Sequence, residues 1–218
     1  MGEEGIMTRA LRVRINLKDD VKTIERKLSQ GIAEQFNNKL RLSVDKIKRD
    51  LKALVRDLLK VSPEIQSLRN GELRGAFGIP KEIDPTLEII EAIVASVDVE
   101  FKLVRGGRGG FSGGLAIEIQ PKDLSNLLNL PNAKVVTEKG TALPWLKWLL
   151  TLGDKIIITE FEVEYKDGSG RSGLASMSEG GTFRVNPSFS GTEENNFITR
   201  AFKGSDDKIS RIIKRHMR

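Results

Sequence analysis

The sequence predicts an α+β fold, with a long N-terminal amphipathic helix followed by a mixed part of two β-hairpins covered by short helices. The prediction rests on a change of hydrophobic period. Apolar residues recur every three or four positions over residues 17–61, as in a helix, and every second position over residues 97–103, as in a strand. We divide the chain into a helical part, residues 1–80, and an α+β part with an antiparallel sheet and a C-terminal helix, residues 81–218.

The composition indicates a soluble globular protein with a basic surface. The 218 residues include 36 Lys and Arg against 30 Asp and Glu, which gives a net charge of +6. This length suits one medium domain or two small ones. The charge fits nucleic acid, an anionic surface or an acidic protein partner, and equally a plain soluble surface. No apolar run reaches the roughly 18 residues of a membrane span, and the N-terminus lacks the pattern of a secretory signal.

The sequence lacks the residues and motifs on which most common catalytic mechanisms depend. It has no cysteine and one histidine, His216, so disulfides, thiolate catalysis and multi-histidine metal sites are not expected. It contains no phosphate-binding Gly-Lys-Ser/Thr loop and no Gly-x-Ser-x-Gly elbow. Carboxylates alternate at Glu160, Glu162 and Glu164, where we expect a solvated strand face. We therefore predict no enzymatic activity, no metal and no cofactor.

The N-terminal part begins with a short strand and continues as the longest helix. Leu11, Val13 and Ile15 alternate with arginines, which predicts a strand that pairs at a sheet edge or with a partner chain. The helix covers about 45 residues, or roughly 70 Å. Its apolar residues keep the 4-3 spacing of a coiled-coil seam, with a stutter in the middle. Gly31 and the Asn37-Asn38 pair are weak helix formers, so a break there is the alternative.

The outer face of this helix is crowded with cations. Two interpretations stay open, namely a solvated surface and a face for nucleic acid or an acidic partner. The residues concerned are Lys46, Lys48, Arg49, Lys52 and Arg56.

Two further helices are predicted, one at the end of the helical part and one at the start of the α+β part. Ser62 is the predicted cap of one helix, with Pro63 at its first position. Phe77 and Ile79 are the predicted anchors of a glycine-rich loop. Asp84-Pro85 opens the other helix. Its predicted inner face consists of Leu87, Ile90, Ile93 and Val94.

A β-hairpin with a long, basic, mobile tip is predicted after residue 97, because alternation resumes over residues 115–119. The tip has three interpretations: a plain flexible loop, a phosphate clasp made by its two arginines, or a segment ordered by a partner subunit. The candidate assembly or phosphate contacts are Arg105, Gly106, Gly107, Arg108, Gly109 and Gly110.

The remainder alternates short helices with a second hairpin. Residues 121–130 predict an amphipathic helix, and residues 133–137 a strand or connector. Residues 155–177 predict a hairpin around a glycine-rich turn, with a slip of the alternation near Thr159. Residues 193–202 should be helical, and Ser205 should cap a last helix with Ile209, Ile212 and Ile213 inward and its cations outward.

Both tryptophans lie in one predicted helix between Pro144 and Gly153. Such aromatic spacing is typical of core packing, while an interface role is the alternative. We take Trp145, Trp148 and Arg200 as candidate interface residues.

Several segments carry a resemblance to a known group of proteins. They are Pro144-Trp-Leu-Lys-Trp-Leu-Leu150, the three isoleucines at 156–158, Gly173–Met177 with Gly180-Gly181, Pro187-Ser-Phe-Ser-Gly-Thr-Glu-Glu-Asn-Asn-Phe-Ile-Thr-Arg-Ala201, and Leu68–Pro80. These segments touch about half of the chain. In them the sequence resembles virion structural proteins of large tailed bacteriophages.

The resemblance implies a non-enzymatic neck or tail-completion protein, made in the host bacterial cytoplasm and located in the virion. It implies an oligomeric connector, a ring of identical copies that contacts other neck or tail proteins and, non-specifically, packaged DNA. It transfers no functional residues. The alternative from the residues themselves is a basic nucleic-acid-binding module that uses the hairpin tip and the last helix.

Overall fold

A computed structural model describes residues 18–107, 110–121, 123–137 and 140–218. It confirms the α+β fold class, since these ranges contain helices together with three two-stranded antiparallel sheets. The strand predicted over residues 11–15 lies outside the described residues.

The longest helix, α1, is Val21–Lys60. It is a single unbroken helix of 40 residues, roughly 60 Å in length. The Asp20 side chain caps it by accepting a hydrogen bond of 2.7 Å from the backbone N–H of Thr23. The break suggested by the low helix propensity of Gly31 and Asn37 does not occur. Tertiary contacts, including those of Asn37 described below, outweigh that weak local preference.

The C-terminal half of α1 forms the centre of the hydrophobic core. Ile47, Leu51, Val55 and Leu59 are all buried there. The same buried cluster takes in residues from both sides of residue 80, so the two predicted parts share one core. Among its largest members are Ile65, Leu68, Ile90, Trp145, Phe183 and Phe197.

The next helices are α2 (Pro63–Asn70), α3 (Glu72–Ala76) and α4 (Thr86–Ala95). The Ser62 cap is confirmed, because its hydroxyl accepts a hydrogen bond from the Ile65 N–H at 3.4 Å. The predicted anchors Phe77 and Ile79 are buried. The prediction for Leu87 is wrong, because this side chain is 59% exposed. The buried stripe of α4 begins at Thr86 and continues through residues 89, 90, 93 and 94, which leaves Leu87 on the outer side.

The first hairpin pairs β1 (Asp98–Gly107) with β2 (Gly110–Glu118) and is confirmed. Its tip is shorter than predicted. Arg105 and Gly106 lie opposite Ser112 and Phe111, and the strands continue to Gly107 and Gly110. Only two residues separate the strands, so most of the predicted tip is paired strand.

The alternation predicted for β1 fails at Leu103. The register shifts between Lys102 and Arg105, which is a β-bulge. An extra residue reverses the side-chain faces, so Leu103 is exposed and Val104 is buried.

The second large hairpin pairs β5 (Ile156–Tyr165) with β6 (Ala175–Arg184) and is also confirmed, although its second strand was predicted over 171–177 and instead starts at Ala175 and continues to Arg184. The slip expected near Thr159 is present as a register shift, at which Glu160 adopts a φ of 68°. A third pair is very short, and its first strand lies in the segment 133–137 that was predicted to be a strand or a connector, while its partner strand was not predicted. It joins β3 (Val135–Val136) to β4 (Ala142–Leu143).

The remaining helices are short except the last. They are α5 (Ser125–Leu128), a 3₁₀ turn (Pro131–Ala133), α6 (Leu146–Leu150), α7 (Phe197–Phe202) and α8 (Asp206–Met217). A helix starting at Glu193 is a wrong prediction, because Asn196 and Thr199 form a capping box that starts α7 later. Ser205 does not cap α8, since its hydroxyl donates to the Phe202 carbonyl at 2.6 Å.

An ion pair joins α7 to the first turn of α2. Arg200 donates from Nε and Nη2 to Glu64 Oε1 at 2.9 and 2.7 Å. It also donates to the carbonyls of Ser190 and Phe189, each at 3.1 Å. The Glu64 side chain is 4% exposed, so this carboxylate depends on its cation for solvation.

Replacing Arg200 by alanine should lower the free energy of unfolding by about 3 kcal/mol, because it leaves the Glu64 charge buried without its partner. Urea denaturation of purified protein measures this change. The matched control is Arg49→Ala, since Arg49 pairs with Asp50 at 3.4 Å from a side chain that is 75% exposed. The control should change stability by less than about 1 kcal/mol. Equal losses in the two variants would contradict this account.

Candidate assembly surface

The N-terminal half of α1 carries a line of apolar side chains that the fold leaves uncovered. We call Val21, Ile24, Leu28, Ile32 and Phe36 the exposed stripe. All except the half-buried Ile24 are between 43% and 70% exposed. Their spacing of three or four residues places them along one side of the helix. A contiguous apolar surface of this kind is typical of an interaction site, whereas apolar residues scattered singly are not.

The neighbouring face of α1 is covered by the first hairpin. Ala33 and Leu40 form a small apolar cluster with Val104, and Met217 packs at its edge. The hairpin therefore covers the side next to the exposed stripe and leaves the stripe open.

The amide of Asn37 holds the hairpin at its bulge. In the register no β2 residue lies opposite Val104. Asn37 Nδ2 donates to the Val104 carbonyl at 3.0 Å, and Asn37 Oδ1 accepts from the Val104 N–H at 2.7 Å. One side chain thus satisfies both backbone groups that the bulge removes from the ladder.

Close approach of the hairpin to α1 requires glycine at position 106. A Cβ on Gly106 would lie 2.7 Å from the Ser29 carbonyl oxygen and 2.8 Å from the Ser29 Cβ. Its neighbour Gly107 faces open space, with no atom within 4 Å of such a Cβ. The packing of β1 on the helix is therefore sufficient reason for Gly106, without a bound phosphate.

The tip residues lie beside the exposed stripe. Arg105 is an exposed residue of β1, and Gly107 and Gly110 are exposed at the strand ends, while Arg108 and Gly109 lie outside the described residues. The Phe111 ring, also exposed, is 6.5 Å from the Phe36 ring. The exposed stripe and the hairpin end thus form one continuous surface.

The other three candidate interface residues make contacts within the fold. Trp145 is fully buried with its ring 5.4 Å from that of Phe77, and Trp148 packs half-buried against the same core. Arg200 is bound to Glu64, as described above. Sequence reasoning missed the exposed stripe and Phe111 as site residues. The spacing of the seam could be predicted from the sequence. Which part of the seam stays uncovered could not be predicted.

The last helix occupies the stretch of α1 that follows the exposed stripe. The Ser43 hydroxyl donates to the His216 carbonyl at 2.9 Å, and His216 Nε2 lies 2.8 Å from Asp50 Oδ2. The hydrogen bond with His216 lowers the pKa of the Asp50 carboxyl below its ordinary value, and Arg215 at 3.2 Å adds to the effect. α8 thus lies on α1 with its end directed towards the exposed stripe.

The basic face of α1 is partly neutralised within the chain. Lys48 pairs with Asp98 at 2.7 Å, and Arg56 pairs with Glu91 at 2.6 Å. Arg49 lies near Asp50. Three of the five cations predicted on this face therefore contact carboxylates of their own chain, which favours the solvated-surface interpretation. The outward cations of α8 are Lys208, Arg211, Lys214 and Arg215, and Arg218 follows the helix.

The three strand carboxylates considered for catalysis, Glu160, Glu162 and Glu164, are exposed on β5. In the part of the chain that the structure describes, no three His, Cys, Asp or Glu side chains are grouped to hold a metal ion. None of the helices within the described ranges combines the length and the apolar character needed to cross a membrane.

Comparisons of the chain with models of protein families, with curated proteins and with solved structures gave no match.

Replacing Gly106 by alanine should separate the hairpin from α1 and lower the free energy of unfolding by about 1–3 kcal/mol, the usual cost of overpacking. Gly107→Ala is the matched control, because neither glycine has a positive φ and only Gly106 faces Ser29. The control should stay within about 0.5 kcal/mol of the unmodified chain. Urea denaturation measures both. Similar stability of the two variants would show that the hairpin does not pack closely on α1.

Proposed function

We propose that this chain is a non-enzymatic structural component of a tailed phage particle, an oligomeric connector at the head–tail neck or the tail end. The observation that carries the proposal is the exposed stripe continued by Phe111 at the hairpin end. A surface of this kind is typical of a protein–protein interaction site, where the partner removes the apolar side chains from contact with water.

The location in a particle is supported by the sequence resemblance. The resembling segments around Trp145 and residues 68–80 contribute to the hydrophobic core, and Arg200 pairs with Glu64. Residues with such structural roles fit a shared fold better than a shared reaction. Assembly from identical copies, as a ring, is part of the same proposal. Such a ring needs two different surfaces on each copy that match one another.

A nucleic-acid-binding module is the second candidate. The observation in its favour is the outward set of cations on α8, which has no carboxylate of its own beyond its first turn, although Arg215 contacts Asp50 of α1 at 3.2 Å. Against it stands the pairing of α1 cations with their own chain. Binding through this face would require an affinity for DNA or RNA that falls steeply with salt.

The proposal predicts that the chain is present in purified phage particles from the source of this sequence, at a constant low copy number per particle. Quantitative mass spectrometry of gradient-purified particles measures this number. A nonsense allele should yield filled heads and complete tails that fail to join in electron micrographs, because a connector is missing. Wild-type chain supplied in trans is the control and should restore joined particles.

Absence of the chain from purified particles would contradict the proposal. If the purified chain then bound DNA or RNA at low salt, the second candidate would replace it. No binding at low salt would remove the second candidate as well.

A further inference from the structure

We infer that the exposed stripe is a self-association surface, on which the α1 helix of a second copy packs in the antiparallel direction. The inference concerns the purified chain and does not depend on the proposed location in a phage. Three independent features of α1 support it: the spacing of the stripe, the way α8 fills the adjoining stretch, and the distribution of charge.

The spacing favours a helix as the partner. Val21, Ile24 and Leu28 follow the 4-3 pattern by which two helices interlock their side chains. Beside them runs a shallow groove of about 460 Å³, lined among others by Ile24, Leu28, Gly31 and Ile32. A Cβ on Gly31 would meet nothing within 4 Å, so the groove has room for a side chain from a partner.

The chain itself shows that this side of α1 accepts a helix. Ser43 and Asp50 hold the end of α8, and Met217 reaches the cluster of Ala33 and Leu40. α7 precedes α8 and is hydrogen-bonded through Arg200 to Glu64, which follows the C-terminus of α1. α8 therefore starts near that end of α1 and runs antiparallel to it. Beyond Met217 the described chain leaves the exposed stripe open except at Phe36, whose ring is 6.5 Å from that of Phe111, and a second antiparallel helix would continue the same packing.

Charge distinguishes the two possible directions. Asp20 precedes the stripe and Lys39 follows it, and both are exposed, whereas Asp19 is already paired with Lys27 of its own chain at 2.6 Å. An antiparallel pair that sets Leu28 against Ile32 of the second copy also brings Asp20 near Lys39 of that copy, at both ends of the contact. A parallel pair would place the two Lys39 side chains together, and like charges at that distance repel.

The size of the surface sets the expected strength. Five apolar side chains and Phe111 are far fewer than the 20–30 residues that each partner contributes to a standard interface. The pair should therefore be weak, forming reversibly in the micromolar range. A two-fold contact closes on itself, so a ring would need a second, different contact elsewhere on the surface.

Sedimentation of the full chain from about 1 μM to about 1 mM tests the inference. We expect a monomer–dimer equilibrium that Leu28→Glu weakens at least about tenfold. Leu87→Glu is the matched control, because Leu87 is 59% exposed and Leu28 is 60% exposed, on separate helices. The control should leave the equilibrium unchanged. Circular dichroism of both variants shows whether each is folded.

Cysteine cross-linking tests the direction, since the chain has no cysteine of its own. In the antiparallel pair a mixture of Ile24→Cys and Phe36→Cys chains should cross-link, while each variant alone should not. Twelve residues separate these positions along the helix, or about 18 Å.

Three results would overturn the inference. They are a monomer at every concentration, a dimer that Leu28→Glu and Leu87→Glu affect equally, and efficient cross-linking of Ile24→Cys chains with one another.

Discussion

The burial of the C-terminal half of α1 is the interaction on which the other elements depend. Ile47, Leu51 and Leu59 are fully buried, α2, α4, α7 and α8 contact α1, and side chains from α6 and β6 belong to the same buried cluster. These helices are short, and isolated helices of such length are marginal in water. They are therefore stable only because α1 supplies an apolar surface that they can cover together.

A consequence of this arrangement is that α1 is much longer than the core it supports. Its N-terminal half is kept helical by continuation from the buried half, by the Asp20 cap and by the Asn37 bonds to Val104. The hairpin covers one face of this half and α8 covers α1 from Ser43 onwards, so the exposed stripe remains uncovered. The same helix thus organises the fold at one end and offers a surface for assembly at the other.

Periodicity in the sequence was sufficient to predict α1, both large hairpins and the capped start of α2. It failed where a distant side chain decides the local structure. Leu103 is exposed because of a β-bulge, whose Val104 backbone groups are hydrogen-bonded by Asn37, 67 residues away in the sequence. The late start of α7 follows from the Asn196 capping box. The candidate site was predicted in part. A seam on α1 was expected, but its uncovered portion depends on where α8 and the hairpin lie, which local spacing does not encode.

The two halves of α1 have different surroundings: the C-terminal half is covered within the chain, and we infer that the exposed stripe of the N-terminal half is covered when two copies associate. Hydrogen–deuterium exchange of the α1 amides at low and high protein concentration tests it most directly. We expect the amides around Leu28 to be weakly protected in dilute protein and to become protected as the concentration rises, while those around Leu51 are protected throughout. Equal protection of both halves at the lowest concentration, or no change with concentration around Leu28, would contradict it.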